Sequence, residues 1–290
     1  MRRVRIAVCI LFVVSCVVFS GYMIKTRVVE DNKPPEITYK EQEITISVED
    51  GEKALLKGMK AKDNRDGNVT KDIRVASQSH FISKGTRTVD YIVFDQANNA
   101  GKASRTVVYS DYTSPKIHLY EPFRYTKREL ESVNLLESVT AEDCLDGDLS
   151  KQVRITMSDD YYAIEPGEYE VLLQVSNSAG DVRKVPVKMQ IIDQNSLDER
   201  NKYYPLLSEY IVYTKVGNPL DLNAYLIGVE KSGTDYKFAE DGAYLEVGWE
   251  NIGVNAEIDY ATPGVYTAEF VCSGDELATA STKLYVVVEE

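Results

Sequence analysis

Histidine is almost absent from this chain of 290 residues, which contains only two, His80 and His118. They lie in separate parts of the sequence, so no spacing supports a Cys-His or Ser-His-Asp arrangement for nucleophilic catalysis. Glycine-rich phosphate loops and clusters of metal-ligating cysteine or histidine are missing as well. Acidic residues are numerous, but no pair stands out as the two carboxylates of a glycosidase. We therefore expect a protein that is not an enzyme.

Basic residues are outnumbered by acidic ones. Lysine and arginine total 33 against 46 aspartates and glutamates, which gives a formal net charge of −13. A protein that binds a nucleic-acid backbone must neutralise phosphates with cationic side chains, so this balance argues against DNA and RNA as partners. The remaining composition, 43% apolar and 27% charged, is typical of a globular chain long enough for two or three small domains.

The sequence has too few cysteines outside its N-terminal apolar run for a fold held together by disulfides. Of the four cysteines, Cys9 and Cys16 lie in an apolar N-terminal run, and Cys144 and Cys272 fall in different predicted domains. We therefore expect the domains to be held together by burial alone. Cys272 shares strand parity with Phe270, so we expect a small buried apolar residue rather than a nucleophile.

The chain has one long apolar run, residues 6–24, which contains no charged side chain. A helix of this length spans about 28 Å, close to the thickness of the hydrocarbon core of a bilayer. Arg2, Arg3 and Arg5 precede the run, and this positive charge predicts a cytoplasmic N-terminus and export of the remaining chain. We expect residues 1–27 to form an uncleaved membrane anchor and residues 28–34 to form a stalk.

Two alternatives remain open for this N-terminal segment. Ser20 and Gly21 are small enough for the cleavage site of a secretory signal peptide. Residues 13–16, Val-Val-Ser-Cys, resemble the lipobox before an acylated cysteine, although the chain stays apolar from Cys16 to Ile24. All three interpretations place the bulk of the protein outside the cytoplasm.

The sequence contains an internal repeat. Residues 61–75, AKDNRDGNVTKDIRV, reappear 80 positions later as residues 141–155, AEDCLDGDLSKQVRI. A third, more divergent copy keeps the last hairpin, in which Pro263-Gly264 takes the place of Pro166-Gly167, but it lacks the acidic Asp-Gly-Asp segment. Self-similarity of this kind predicts repeated domains.

The repeat sets the expected domain boundaries. We predict domains over residues 35–111, 115–193 and 205–290, with a linker over residues 194–204. The connection between the first two domains is very short, whereas the linker between the second and third is longer and polar. We therefore expect the first joint to be stiffer than the second.

Each copy has the pattern of β-strands. Tyr169, Val171 and Leu173 alternate with other residues at the period of two that a half-buried strand requires. Turn signals such as Asp66-Gly67 and Pro166-Gly167 separate short apolar runs, a spacing typical of antiparallel sandwiches. The sequence predicts an all-β fold of tandem sandwiches after one N-terminal transmembrane helix.

Two segments recur in the first two copies: a Met/Val-x-Ala-x-Asp-x-x-Asp-Gly run, and a glycine before a strand that leads to the hairpin Asp95-Gln-Ala-Asn-Asn99. With these two segments, the first two copies resemble bacterial immunoglobulin-like (Ig-like) surface domains that carry an Asp-Gly-Asp-Val-Thr segment. The resemblance implies tandem Ig-like β-sandwiches on an exported bacterial protein, used as spacer, adhesion or accessory modules. Asn98 and Asn177 depart from the family's hairpin pattern.

Acidic side chains cluster in loops of the first two copies, and clustered carboxylate oxygens are what Ca²⁺ prefers. The EF-hand spacing is not met. In an Ig-like sandwich this loop and the last hairpin lie at the same end, facing the preceding domain. We therefore predict a calcium site at the junction of the first two domains, held by Asp111, Asp143, Asp146 and Asn177; no other cofactor is expected.

A simpler interpretation treats the same residues as turn formers. Asp66 and Asp146 would accept local backbone hydrogen bonds, and Gly67 and Gly147, which follow them, would supply a positive φ. Thr70 and Ser150 would close the turn.

Tyrosine is abundant, with 20 residues, several of which stand outside the alternating core positions. Such rings stack on sugars or anchor a protein partner, although tyrosine is also simply a good strand former. The candidates are Tyr120, Tyr125, Tyr161, Tyr162, Tyr203, Tyr204 and Tyr225. We predict Tyr203 and Tyr204, in the linker, as a binding patch.

Together these patterns predict a single-pass surface protein that binds an extracellular protein or glycan through loops and its distal domain. An alternative is an accessory or regulatory subunit of a cell-envelope enzyme or assembly system. An extracellular hydrolase would need a cleft lined by convergent polar groups.

Overall fold

The computed structural model describes residues 2–29, 31–157, 165–193, 195–241, 245–274 and 277–290. The chain divides into two compact units, Met1–Tyr112 and Thr113–Glu290. The first unit contains an N-terminal helix and the first repeat, and the second contains the other two repeats. Tyr161 and Tyr162 lie outside the described residues.

The N-terminal helix α1 covers Arg2–Val29. Its part Arg2–Lys25 is long and apolar enough to cross a membrane once, and none of it is buried against the rest of the protein. Leu11 and Phe12 are 75% and 69% exposed, so the helix presents large apolar side chains that favour a lipid environment. The expected N-terminal apolar helix is therefore present.

Besides a 3₁₀ turn over Thr70–Asp72, the first sandwich contains seven strands and one turn of α-helix. They are β1 (Glu36–Tyr39), β2 (Glu43–Ile46), α2 (Glu52–Leu55), β3 (Met59–Asp63), β4 (Gly67–Asn68), β5 (Arg74–Ser83), β6 (Thr86–Phe94) and β7 (Ala100–Tyr109). One sheet has the order β1-β3-β4 and the other β2-β7-β6-β5. The core lies between the sheets, where Val89, Val93 and Val107 are completely buried.

The second sandwich repeats this arrangement. Its elements are β8 (Lys116–Leu119), β9 (Arg124–Thr126), α3 (Lys127–Leu130), β10 (Val139–Asp143), β11 (Gly147–Asp148), β12 (Arg154–Met157), β13 (Gly167–Ser176) and β14 (Val182–Ile192). The sheet orders are β11-β10-β8 and β12-β13-β14-β9. In β13, Val171, Leu173 and Val175 are buried, which confirms the alternation read from the sequence.

The third sandwich follows the turn α4 (Leu197–Arg200). Its elements are β15 (Tyr204–Leu207), β16 (Ile211–Lys215), β17 (Leu226–Lys231), β18 (Thr234–Lys237), α5 (Phe238–Asp241), β19 (Ile252–Ala256), β20 (Gly264–Gly274) and β21 (Leu277–Glu289). The sheets again have three and four strands, in the orders β15-β17-β18 and β16-β21-β20-β19. In each copy the second strand pairs in parallel with the last one, β2 with β7, β9 with β14 and β16 with β21. The all-β fold of tandem Ig-like sandwiches is thus confirmed.

The second and third sandwiches share one apolar core. A single cluster of buried residues runs from Ile117 and Val187 of the second copy to Tyr210, Tyr285 and Val287 of the third. The polar linker of residues 194–204 therefore connects two domains that pack directly on each other, and the relative stiffness of the two joints stays a prediction. Apolar residues from both copies exclude water between them, so the joint is held by burial.

Polar contacts reinforce this joint. The hydroxyl of Tyr213 donates to the carbonyl of Ile117 at 2.9 Å and accepts from its amide at 2.7 Å. Arg124 Nη1 lies 2.8 Å from Glu230 Oε2, and Arg183 pairs with Glu289. These hydrogen bonds and ion pairs join residues of the second copy to residues of the third, so the two copies form one compact body.

Candidate functional site

The acidic loops of the first two copies are tight turns. Oδ2 of Asp63 accepts the amides of Arg65 and Asp66 at 2.6 and 2.9 Å, and these bonds, that from Asp66 first, lower the pKa of the Asp63 carboxyl. Gly67 has φ +73°, and Thr70 Oγ1 accepts the amide of Ala61 at 3.0 Å. The predicted turn is thus confirmed for the first copy, but its local acceptor is Asp63 rather than Asp66, whose Oδ2 accepts the amide of Gln96 at 2.7 Å.

The second copy repeats the turn. Oδ1 of Asp143 accepts the amides of Leu145 and Asp146 at 2.9 and 3.1 Å. Gly147 also has φ +73°, and Ser150 Oγ accepts the amide of Ala141 at 3.1 Å. The same residue types at the same spacing therefore give the same backbone.

Three of the four residues predicted for the calcium junction come together in the second unit. Asn177 Nδ2 donates to Asp143 Oδ2 at 3.1 Å, and Asp146 accepts the amide and hydroxyl of Ser178 at 2.6 and 2.7 Å. Asp111 belongs to the first unit, where it accepts from Ser47 Oγ at 2.5 Å and Val48 N at 2.8 Å. A calcium ion held jointly by these four residues stays a prediction.

The predicted aromatic patch in the linker is not exposed. Tyr203 and Tyr204 are only 4% and 6% exposed. Arg124 lies 3.4 Å above the ring of Tyr204, whose hydroxyl donates to Glu199 at 2.6 Å, and burial raises the pKa of Tyr204. The prediction of a binding patch here is wrong, because both rings are packed into the third sandwich and its joint with the second.

Among the predicted aromatic candidates, Tyr120 is exposed, unlike Tyr203 and Tyr204. It follows β8, in which Ile117 and Leu119 are buried, so Lys116, His118 and Tyr120 point to the opposite side of the sheet. Tyr120 is 50% exposed, and its ring is stacked with that of His118 at 6.2 Å and 14°. Strand parity was the signal in the sequence that could have favoured Tyr120 over the linker tyrosines.

These outward residues line a polar groove on the three-stranded sheet of the second sandwich. It is lined by Lys116, His118 and Tyr120, together with Thr140, Glu142, Asp148 and Glu209. His118 Nε2 lies 3.6 Å from Glu142 Oε1. A flat aromatic pair beside hydroxyl and carboxylate groups can stack on a sugar ring and accept hydrogen bonds from its hydroxyls.

A second aromatic pair, one exposed ring on one half-buried ring, lies in the third sandwich. Trp249, the only tryptophan of the chain, is 53% exposed and packs against Phe238 with ring centroids 4.8 Å apart. Sequence reasoning missed this residue, although a tryptophan between glycine and glutamate in a polar turn is a signal for an exposed ring. Exposed tryptophan is common at binding hot spots.

The cysteines outside α1 behave as the sequence indicates. Cys272 is completely buried, and burial raises the pKa of its thiol to about 11, so it is a poor nucleophile. Cys144 is exposed, and its Sγ donates to the carbonyl of Thr113 at 3.2 Å.

Comparison with known protein families supports an Ig-like fold for the first sandwich. Residues 37–108 match the family of bacterial surface protein Ig-like domains. Pesticidal crystal protein Cry22Aa of Bacillus thuringiensis is 27% identical over 148 residues, which are 49% of this chain and 20% of that protein. The chain thus spans about a fifth of that relative's length.

Solved structures show weaker likeness. A structure of CBM51-2 in complex with GlcNAc and INT domains from Clostridium perfringens ZmpB is 20% identical, with a TM-score of 0.22, over 52% of this chain and 26% of that one. Human CDH23 EC21-23 is 12% identical, with a TM-score of 0.20, over 88% of this chain and 100% of that one. Neither likeness bears on function.

Proposed function

We propose that the protein is a non-enzymatic binding module outside the cytoplasm, tethered by α1 and presenting tandem Ig-like sandwiches to an extracellular glycan or protein. The observation that carries the proposal is the groove beside the stacked rings of His118 and Tyr120. The family match of residues 37–108 to surface Ig-like domains supports an extracellular binding role. The apolar helix supports a membrane anchor, with a cleaved signal as the alternative.

The groove suits recognition because its floor is rigid. β8 is paired with β10 in register from Val139↔Leu119 to Glu142↔Lys116, and the joint with the third sandwich fixes β8 from its other side. A ligand therefore meets a surface that loses little conformational entropy on binding. The ring of Tyr120 supplies apolar contact area, while Lys116, Thr140 and Glu142 supply hydrogen-bonding groups.

Substitution of exposed aromatic residues tests the proposal. The full chain in detergent micelles would be screened against a glycan array and against surface proteins of the producing cell. For a ligand found there, Tyr120→Ala should weaken binding at least about 30-fold, the loss expected when a central aromatic contact is removed. Trp249→Ala is the matched control, since it removes an equally exposed ring from the third sandwich.

The two variants separate the outcomes. Loss of binding with Tyr120→Ala alone supports the groove. Loss with Trp249→Ala alone would place the binding surface on the third sandwich and contradict the groove. Binding that neither variant weakens would contradict recognition through exposed aromatic residues.

A further inference from the structure

Three carboxylates converge at one end of the first sandwich. The oxygen atoms that Asp31, Asp63 and Asp95 offer all lie within 4.8 Å of one another. Asp63 and Asp95 are 3% and 7% exposed, and the side chain of Asp31 is 9% exposed. Negative charges this close together repel strongly where water screens them poorly. The three carboxylates therefore favour positive charge beside them, and the salt bridge of Arg65 with Asp31 supplies one such charge against three negative ones.

The protein's own donors satisfy the cluster only in part. Asp95 accepts the backbone amide and the side-chain amide of Asn99, both at 2.7 Å. Oδ2 of Asp63 takes the two turn amides, but its Oδ1 is buried and accepts no hydrogen bond. Asp31 accepts the amide of Lys33 at 3.2 Å and forms a salt bridge with Arg65, whose Nε lies 3.7 Å from Asp31 Oδ2 and whose side chain is 43% exposed. A buried carboxylate oxygen without a donor is destabilising unless a ligand supplies the contact.

The second sandwich shows where this unpartnered oxygen points. Asp143 occupies the place of Asp63, and Asn177 occupies the place of Asp95 in the repeat. There one oxygen of Asp143 takes the turn amides, and the other accepts Asn177 Nδ2 at 3.1 Å. In the first copy the corresponding oxygen, Oδ1 of Asp63, is thus aimed at the carboxylate of Asp95, which has no proton to donate when ionised.

We propose that Asp31, Asp63 and Asp95 form a binding site for a hard divalent cation, with Ca²⁺ as the ion that fits. Oxygen ligands around Ca²⁺ lie about 2.3–2.6 Å from the ion, so carboxylate oxygens within 4.8 Å of one another can share it. Water molecules complete the coordination shell. This site is separate from the junction predicted at Asp111, Asp143, Asp146 and Asn177.

The position of Asp31 gives the ion a mechanical role. Helix α1 ends at Val29, so Asp31 lies at the start of the segment that joins the helix to β1. Asn99 Nδ2 already donates to the carbonyl of Asp31 at 2.9 Å. An ion shared with Asp63 and Asp95 ties this segment to the sandwich by its side chain as well, and stiffens the connection next to the membrane helix.

Calorimetric titration and thermal unfolding of the full chain in detergent micelles, after treatment with EDTA, test the site with Ca²⁺ as the probe. We expect a binding heat, and a rise in the melting temperature of the first sandwich of about 5 °C or more at ten times the dissociation constant. Asp95→Asn should abolish both. This variant should fold, because Asn177 already forms the same contacts in the second copy.

Two further variants complete the test. Asp72→Asn removes the same charge from an exposed position of the first sandwich and should leave the calcium response unchanged. Asp31→Asn should weaken the response without altering the turn at Asp63. The proposal is overturned if the wild type shows neither heat nor a melting shift at 10 mM Ca²⁺, a concentration about tenfold above the weakest extracellular sites. Equal responses of the wild type and Asp95→Asn would overturn it as well.

Discussion

Two arginines lie deep inside the sandwiches. Arg105 is 1% exposed and donates to the carbonyls of Leu55 and Lys57. The side chain of Arg124 is 7% exposed, and it lies on the ring of Tyr204 while it contacts Glu230. A guanidinium group can be buried in this way because its planar fork binds several acceptors at once while its face packs on an aromatic ring.

Removing Arg124 should destabilise the joined second and third sandwiches. Arg124→Ala leaves the carboxylate of Glu230, 20% exposed, without its partner at 2.8 Å. We expect a loss of about 3 kcal/mol in the free energy of unfolding, measured by urea titration of the full chain in micelles. Lys127→Ala is the control, because it breaks an exposed pair with Glu165 and should cost less than about 1 kcal/mol. Similar losses for the two variants would show that burial does not set the strength of the Arg124 contact.

At the scale of single elements, the sequence predicted the strands that repeat and alternate. The segment 141–155 repeats 61–75, and both fold into the same strand, turn and strand. Local spacing determines such turns, because aspartate and glycine supply the hydrogen bonds and the positive φ within a few residues. The buried state of Tyr203 and Tyr204 was not predictable in this way, since their surroundings come from β9 and from residues far along the chain.

For the candidate sites as well, the sequence predicted local turns but not the contacts between distant segments. The turn around Asp63 followed from spacing, but the approach of Asp31 and Asp95 depends on how β1, β3 and the last hairpin are arranged in space. The outward face of Tyr120 was available from strand parity, whereas its stacking on His118 required the structure. Patterns of two to four residues predict local geometry, and contacts between distant segments depend on tertiary packing.

One strand pairing requires a glycine. Gly228 lies in β17 between β15 and β18, and a Cβ atom there would stand 2.0 Å from the carbonyl oxygen of Tyr236. Gly228→Ala therefore forces the backbone of β18 to move, and we expect a loss of about 3 kcal/mol in stability. Gly253→Ala in β19 is the matched control, because nothing lies within 4 Å of its Cβ position. Urea unfolding of both variants would check this, and an unchanged stability of Gly228→Ala would contradict the close approach of the two strands.

At the scale of the whole molecule, the number of sandwiches differs from the number of compact units. Three sandwiches are present, but the shared core makes the second and third one body, Thr113–Glu290. Their cores are continuous because Tyr210 and Tyr285 of the third copy pack on residues of the second, and the hydroxyl of Tyr285 accepts the amide of Lys188. This unit therefore presents the groove at Tyr120 on a larger rigid support than one small domain would provide.

We expect this unit to unfold as a whole. Loss of either sandwich exposes the apolar surface that the other one covers, so neither is stable at the melting temperature of the pair. Differential scanning calorimetry of the full chain should then show a single transition for the second unit, and Arg124→Ala should lower the temperature of that transition while the transition of the first sandwich stays in place. A chain that ends after residue 193 should bind a dye for exposed apolar surface, because the covering residues of the third copy are gone. Two separate transitions for the second and third sandwiches, of which Arg124→Ala shifts only one, would show that the shared core does not couple them.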